Sequence, residues 1–197
     1  MSDGLPTLVG RSLRLRQLTQ RDAADLFEVF SDPRVMRYWS RDPMRDPGEA
    51  RQLVEDIDAG WRGDTLYQWG IEPDGVGRVV GTTTLFQVSQ AHRRGEIGFA
   101  LGSAWWGRGI AKAAVERLIV HAFDTLDLSR LEADADPRNA ASLGLLERLG
   151  FRREGLLRAR YRVAGEVQDA VLLGLLREEW VPSPAVRARM APAPAGQ

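Results

Sequence analysis

The stretch GEIGFALGSAWWGRGIAKAAVERL, residues 95–118, changes from the pattern of a strand to the pattern of a helix. Its first part alternates Ile97, Phe99 and Leu101 with small residues and one carboxylate, which is typical of a half-buried strand. From Ile110 onward the apolar residues recur at helical spacing. The stretch therefore predicts a strand, a glycine-rich turn and a helix in direct succession.

Two glycines, Gly107 and Gly109, occupy the turn. Glycines there let the backbone approach an anion closely, and the first N–H groups of the next helix would face that anion. Alternatively, the glycines only relieve strain between a strand and a helix. A dinucleotide fingerprint would need Gly or Ala where Lys112 stands, and the Walker sequence Gly-Lys-Ser/Thr does not occur in the chain. The turn alone leaves a phosphate cradle and a purely structural turn as alternatives.

Composition limits the classes of function. The 197 residues suffice for one ordinary domain, and 27 basic residues balance 27 acidic ones, which does not favour a nucleic-acid partner. The chain has no cysteine, and His92 and His121 are its only histidines, so we expect neither a disulfide, a cysteine nucleophile nor a metal site. No apolar run approaches the roughly 18 residues of a membrane span, so we expect a cytoplasmic protein without a membrane partner.

Periodicity elsewhere predicts a mixed α/β domain with the order β α α β β β α β α β β. A domain over residues 1–180 and a flexible Pro- and Ala-rich tail over 181–197 are expected. The predicted strands are 12–18, 66–72, 78–88, 93–102, 129–135, 151–162 and 167–176, and the predicted helices begin at residue 19 or cover about 47–61, 108–124 and 139–150.

Three motifs in the same order resemble the GNAT N-acetyltransferase superfamily, in particular its RimJ/RimL-type branch. They are GEIGFALG at 95–102, WWGRGIA at 105–111 and DPRNAASLGLLERLGFRREG at 136–155. The family pattern Gln/Arg-x-x-Gly-x-Gly/Ala falls on 106–111, with Trp106 where Gln or Arg is usual; the branch often has Trp-Gly there. Asn139 followed by Ser142 and by LERLGF is the second branch feature.

The resemblance implies one mixed, α+β-like α/β domain. Its mostly antiparallel twisted sheet would have about seven strands, with helices on both faces and a splay between the fourth and fifth strands. It also implies acetyl-CoA as co-substrate, with the pyrophosphate on the turn and the pantetheine arm along the preceding strand. The cofactor-binding residues so implied are Phe99, Ala100, Leu101, Trp106, Gly107, Arg108, Gly109, Ile110, Ala111, Asn139 and Ser142.

Two catalytic residues follow from the same resemblance. Glu96 lies where some members have their glutamate base, and Ser142 would lie near the sulfur of the thioester. Another interpretation of Glu96 is a glutamate at a sheet edge paired with Arg93 or Arg94. Other branches have a tyrosine acid where this chain has Leu146, so Ser142, Tyr161 and solvent remain alternative proton donors to the thiolate.

The acceptor side has a weaker pattern. Tyr38, Trp39, Glu132 and Asp134 could form an acidic, aromatic-walled entrance for an amine. The expected function is transfer of an acetyl group to the α-amine of a protein or peptide by direct attack in a ternary complex. Acetylation of a small amine (a polyamine, an amino acid or an aminoglycoside) and a non-catalytic CoA-binding domain are the alternatives, and a homodimer is compatible with the sequence.

Overall fold

A computed structural model describes residues 4–184 and shows one mixed sheet of eight strands. The strands are β1 Leu8–Val9, β2 Leu13–Gln17, β3 Leu66–Pro73, β4 Gly81–Ser89, β5 Arg94–Leu101, β6 Arg130–Ala135, β7 Arg152–Val163 and β8 Glu166–Leu176. Their spatial order is β1-β2-β3-β4-β5-β6-β8-β7, and every neighbouring pair is antiparallel except β5 with β6. The predicted mixed α/β fold is confirmed.

The strand count differs by one from the expected seven. The additional strand is β1, in which Leu8 pairs with Leu15 and Val9 with Arg14. Two residues are too few to show an alternating pattern, so the sequence could not reveal this strand.

Five α-helices accompany the sheet in residues 4–184: α1 Ala23–Ser31, α2 Pro33–Met36, α3 Pro47–Arg62, α4 Ile110–Val120 and α5 Ala140–Arg148. Helix α3 begins with a capping box between Asp46 and Glu49, which satisfies the first free N–H groups. Helix α4 begins two residues later than predicted, and a π-helical turn at His121–Thr125 completes it.

The helices cover both faces of the sheet, as predicted. Along β5, Ile97 and Leu101 belong to a hydrophobic cluster that includes residues of α4 and α5. Ala100 belongs to a second cluster, which includes residues of α1, α2 and α3. Because alternate residues of a strand point to opposite faces, the two clusters lie on opposite sides of the sheet.

The sheet splays between β5 and β6, the predicted fourth and fifth strands. The two strands pair in parallel only at Arg94 with Arg130, Gly95 with Leu131 and Glu96 with Glu132. Beyond Glu96, β5 stays with β4 while β6 stays with β8. In residues 4–184 no strand pairs with this side of β5 beyond Glu96, so the backbone of its last five residues faces the opening.

The chain after β8 returns across α4. The ring centroids of Trp180 and Phe123 are 5.8 Å apart, and the backbone N–H of Ser183 donates to Glu116 at 3.0 Å. Most of the predicted tail, residues 185–197, lies outside the described residues. Within residues 4–184, no helix combines the length and apolar character that a membrane span requires.

Candidate active site

A cavity of about 670 Å³ lies at the opening between β5 and β6. The lining comes from the end of β5, the turn after it, the first turn of α4, the length of α5, and residues of and after α2. Most of the predicted site residues line it: Tyr38, Trp39, Phe99, Ala100, Leu101, Trp106, Gly107, Gly109, Ile110, Ala111, Asn139 and Ser142. Glu96, Arg108, Glu132 and Asp134 are not among its lining residues.

Both glycines of the turn adopt a backbone conformation that favours glycine. The φ angle is 74° at Gly107 and 75° at Gly109, and Gly109 is the N-cap of α4. The cap provides no side-chain hydrogen bond, so no side chain caps the free N–H groups of the first turn of α4. Because the turn lines the cavity, these groups and the positive end of the helix dipole favour an anion there.

Trp106 has a structural role that its position in the motif did not reveal. Its indole Nε1–H donates to the carbonyl oxygen of Leu101 at 2.7 Å, while 49% of the residue is exposed. The hydrogen bond ties the turn to the last residue of β5. The guanidinium of Arg108 instead lies over the ring of Trp105, 5.0 Å from its centroid, and Arg108 is not among the cavity-lining residues.

Asn139 and Ser142 begin α5 together. Asn139 is the N-cap, and its Oδ1 accepts a hydrogen bond from the backbone N–H of Ser142 at 3.1 Å. Both residues line the cavity. The spacing of three residues thus reflects an ordinary helix cap, and the cap also fixes the backbone of Ser142 in the first turn of α5.

Glu96 is buried at the point where β5 and β6 separate, with 9% of the residue exposed. Burial is the main cause that raises the pKa of its carboxyl group, and the negative charge of Asp134 raises it further. Within residues 4–184 no hydrogen bond or ion pair reaches this carboxylate. The alternative arginine partners are engaged elsewhere, since Arg93 binds Asp127 at 2.8 Å and Arg94 binds Glu132 at 2.9 Å.

The carboxylates of Glu132 and Asp134 already have partners within the protein. Arg94 and Arg130 bind Glu132 at 2.9 and 2.8 Å. Tyr161 donates its hydroxyl hydrogen to Asp134 at 2.6 Å. Burial and this hydrogen bond raise the pKa of Tyr161 to about 12. Both carboxylates act on Glu96 electrostatically, as like charges, and neither lines the cavity.

Sequence reasoning missed four basic residues of the cavity lining, Arg34, Arg37, Lys112 and Arg148. Lys112 and Arg148 lie on α4 and α5. The apolar spacing of these helices indicates the face that packs in the core and does not indicate a function for the basic residues. Arg34 and Arg37 belong to a Pro-interrupted segment that shows no periodicity. The hydroxyl of Ser103 donates to Asp32 at 2.5 Å and so links the start of α2 to the loop after β5.

A sheet that splays after a short parallel pairing, beside a glycine turn and an open helix N-terminus, defines the class of GNAT acyltransferases. Residues 12–152 match the family described as Acetyltransferase (GNAT) domain. The chain belongs to this family, whose members use acetyl-CoA, and it is an acyltransferase.

Relatives and solved structures agree with this assignment. The chain is 35% identical over 176 residues to Uncharacterized N-acetyltransferase p20 of Bacillus licheniformis, covering 89% of this chain and 99% of that protein. It is 25% identical to Spermidine N(1)-acetyltransferase of Escherichia coli K12, covering 86% and 89%. The structure of Mycobacterium smegmatis RimJ in complex with CoA-disulfide has a TM-score of 0.78 and 29% identity, covering 94% and 91%. The predicted resemblance to the RimJ/RimL-type branch is confirmed.

Proposed function

We propose that this acyltransferase transfers the acetyl group of acetyl-CoA to the α-amine of a protein or peptide, by direct attack in a ternary complex. The observation that carries the proposal is Glu96, a buried carboxylate without a protein partner in the described residues, which lies at the splay and three residues along β5 from the cavity-lining Phe99. Direct attack is preferred because the chain contains no cysteine that could carry the acetyl group.

The turn, the edge of β5 and the charge of the cavity lining support acetyl-CoA as the bound co-substrate. The turn at Gly107 and Gly109 would hold the pyrophosphate, and the free edge of β5 would hold the pantetheine arm. Lys112 and Arg148 add positive charge to the lining. Acetyl-CoA, when bound, supplies the acetyl group as a thioester. Ser142, fixed by the Asn139 cap, would donate a hydrogen bond to the sulfur.

Glu96 would accept the proton of the attacking amine, directly or through one water molecule. An α-amine has a pKa of ~8, so roughly a tenth of it is neutral at pH 7, whereas a lysine amine with a pKa of ~10.4 is almost fully protonated. A carboxylate whose pKa is raised toward neutrality is a stronger base than an ordinary glutamate. An α-amine needs less help with deprotonation than a lysine amine does, so Glu96 as a single base suits an α-amine.

Charge in the cavity also favours a peptide over a polyamine. The charged residues of the lining are Arg34, Arg37, Lys112 and Arg148, and within residues 4–184 no acidic side chain lines the cavity. With Lys112 and Arg148 assigned to acetyl-CoA, a polycation would still meet the like charges of Arg34 and Arg37. A peptide N-terminus instead brings a single amine and carbonyl groups that arginine can bind.

An acceptor panel tests the proposed function. The protein is mixed with acetyl-CoA and free thiol is followed with tetrapeptides, with the same tetrapeptides blocked at the N-terminus, and with spermidine. We expect turnover with the unblocked peptides and none with the blocked ones. Tight CoA binding without turnover of any acceptor would instead identify a non-catalytic CoA-binding domain.

The main alternative is acetylation of a polyamine, which the similarity to Spermidine N(1)-acetyltransferase favours. The acidic face that carries Glu96, Glu132 and Asp134 would serve such a cation. In the same panel, a kcat/KM for spermidine at least about tenfold above that of every peptide would support this alternative and contradict the α-amine proposal.

The proton donor to the thiolate can be tested with two substitutions. We expect Ser142→Ala to lower kcat about tenfold, because Ser142 lines the cavity and its hydroxyl is the proposed donor to the sulfur. Tyr161→Phe should change kcat less than about threefold, since the Tyr161 proton is held by Asp134. Steady-state rates at saturating acetyl-CoA measure kcat of both variants. A larger loss of kcat in Tyr161→Phe than in Ser142→Ala would identify Tyr161 as the proton donor.

A further inference from the structure

Gly98 stands in the middle of β5, opposite Thr84 of β4. Its backbone is outside the left-handed region, so the conformation itself does not call for glycine. Glycine inside a strand weakens it, because the unfolded chain is more flexible and no side chain packs. A glycine at this position needs another reason.

Two other glycines in the sheet, Gly70 and Gly81, are explained by close packing. A Cβ atom on Gly81 would lie 2.2 Å from the carbonyl oxygen of Ala100, and one on Gly70 would lie 2.8 Å from Cδ2 of Leu18. Neither distance is possible between real atoms, so these positions accept only glycine without movement of their neighbours.

Gly98 has no such neighbour. A Cβ there would meet Cε1 of Phe86 at 3.8 Å and Cβ of Thr84 at 4.0 Å, which are ordinary van der Waals distances. Alanine would fit without displacing anything in the described structure. Packing therefore does not explain the glycine either.

The location of Gly98 supplies the reason. Glu96, Gly98 and Ala100 share one face of β5, spaced by roughly 7 Å. Glu96 and Ala100 are buried, whereas Gly98 between them is partly exposed. Ala100 lines the cavity and Glu96 marks the splay, so an acceptor that reaches Glu96 from the cavity must cross Gly98.

We propose that Gly98 is a specificity-determining residue of the acceptor site, where the absent side chain leaves the space that the side chain of the acceptor's first residue occupies. The inference rests on the proposed function, since it concerns a peptide whose α-amine faces Glu96. A side chain on residue 98 would then exclude large first residues before small ones.

Two substitutions and two peptides test the inference. The peptides are identical except for Ser or Leu at the first position. For Gly98→Ala we expect KM to rise about tenfold for the Leu peptide and less than about threefold for the Ser peptide. For Gly98→Val, KM should rise at least about tenfold for both. The Kd of CoA should stay within about twofold, and Tm should rise by about 2 °C in Gly98→Ala.

Gly155→Val is the matched control. Gly155 is also a strand glycine, a Cβ there meets nothing within 4 Å, and it lies on β7, at the far edge of the sheet and three strands away from β5. We expect no change in KM for either peptide. A preference for the Ser peptide that appears only in the Gly98 variants supports the inference.

Other outcomes overturn it. Unchanged KM values in Gly98→Val, with normal turnover by the wild-type protein, contradict the inference alone. A lower Tm together with weaker CoA binding would show that the fold requires glycine at position 98. Absence of peptide turnover by the wild-type protein contradicts the proposed function and, with it, this inference.

Discussion

Replacement of Glu96 by glutamine is expected to lower kcat about a hundredfold, with little change in the affinity for CoA. Glutamine keeps the size of the side chain and cannot accept a proton from the amine. General base catalysis contributes about 10²-fold or more, so the loss should appear in kcat and kcat/KM alike. Steady-state kinetics with a peptide acceptor, beside CoA binding by calorimetry, measure both quantities.

The pH dependence provides a second readout of Glu96. Its raised pKa means that the wild-type rate should fall on acidification at a pH above the usual range of a glutamate. In Glu96→Gln the acid limb of the profile that is due to Glu96 should disappear, leaving only the titration of the acceptor amine. A profile of kcat/KM from about pH 5 to about pH 9 checks this, and an identical acid limb in both proteins would remove Glu96 from the role of base.

Stability should change in the opposite direction from activity. Folding raises the pKa of Glu96, so the folded state loses stability as pH rises from the ordinary glutamate pKa through the raised one. The loss is complete once the pH exceeds the raised pKa, and Glu96→Gln removes the charge responsible. We therefore expect a higher Tm for this variant at neutral pH than for the wild type.

Glu116→Gln is the matched control for Glu96→Gln. Glu116 is also 9% exposed, but it lies on α4, outside the cavity lining, and accepts a hydrogen bond from the backbone of Ser183. Glutamine can keep that hydrogen bond through its carbonyl oxygen. We expect kcat within about twofold of the wild type, which separates the loss of a base from the loss of any buried carboxylate.

Gly109→Glu is expected to abolish measurable CoA binding while the domain stays folded. A carboxylate at the N-cap of α4 would occupy the region where the turn favours an anion. Two like charges about 4 Å apart repel by about 4 kcal/mol at an effective dielectric constant of about 20, which exceeds a hundredfold in affinity. An acidic residue at a helix N-terminus is otherwise favourable, so the helix should persist.

The control must reproduce the backbone strain of this variant. A non-glycine residue at positive φ costs roughly 1–2 kcal/mol. Gly75 has the same φ of 75° and, like Gly109, no neighbour within 4 Å of a Cβ atom, but it lies in the turn between β3 and β4. Gly75→Glu should show a similar loss of Tm and unchanged CoA affinity. Retained affinity in a folded Gly109→Glu protein would contradict the pyrophosphate site.

Motif and periodicity located most of the cavity lining. The strand and turn from Phe99 to Ala111 and the pair Asn139 and Ser142 were recognisable because they resemble motifs of the GNAT superfamily. The partners of Glu132 and Asp134 could not be recognised from the sequence, since an ion pair depends on which strands are neighbours. Those carboxylates alternate with apolar residues in either case, so the pattern could not distinguish a free acid from a paired one.

The family, the glycine turn and most of the strands and helices could be predicted from sequence alone, because these features depend on local patterns. The folded structure was needed to show that β5 and β6 part after Glu96, that Trp106 binds the end of β5, and that Gly98 has room for a side chain. Each depends on atoms brought together from residues distant in the chain or on the space between them. The segment 95–118 predicts a strand, a turn and a helix, and the tertiary structure adds the opening beside them.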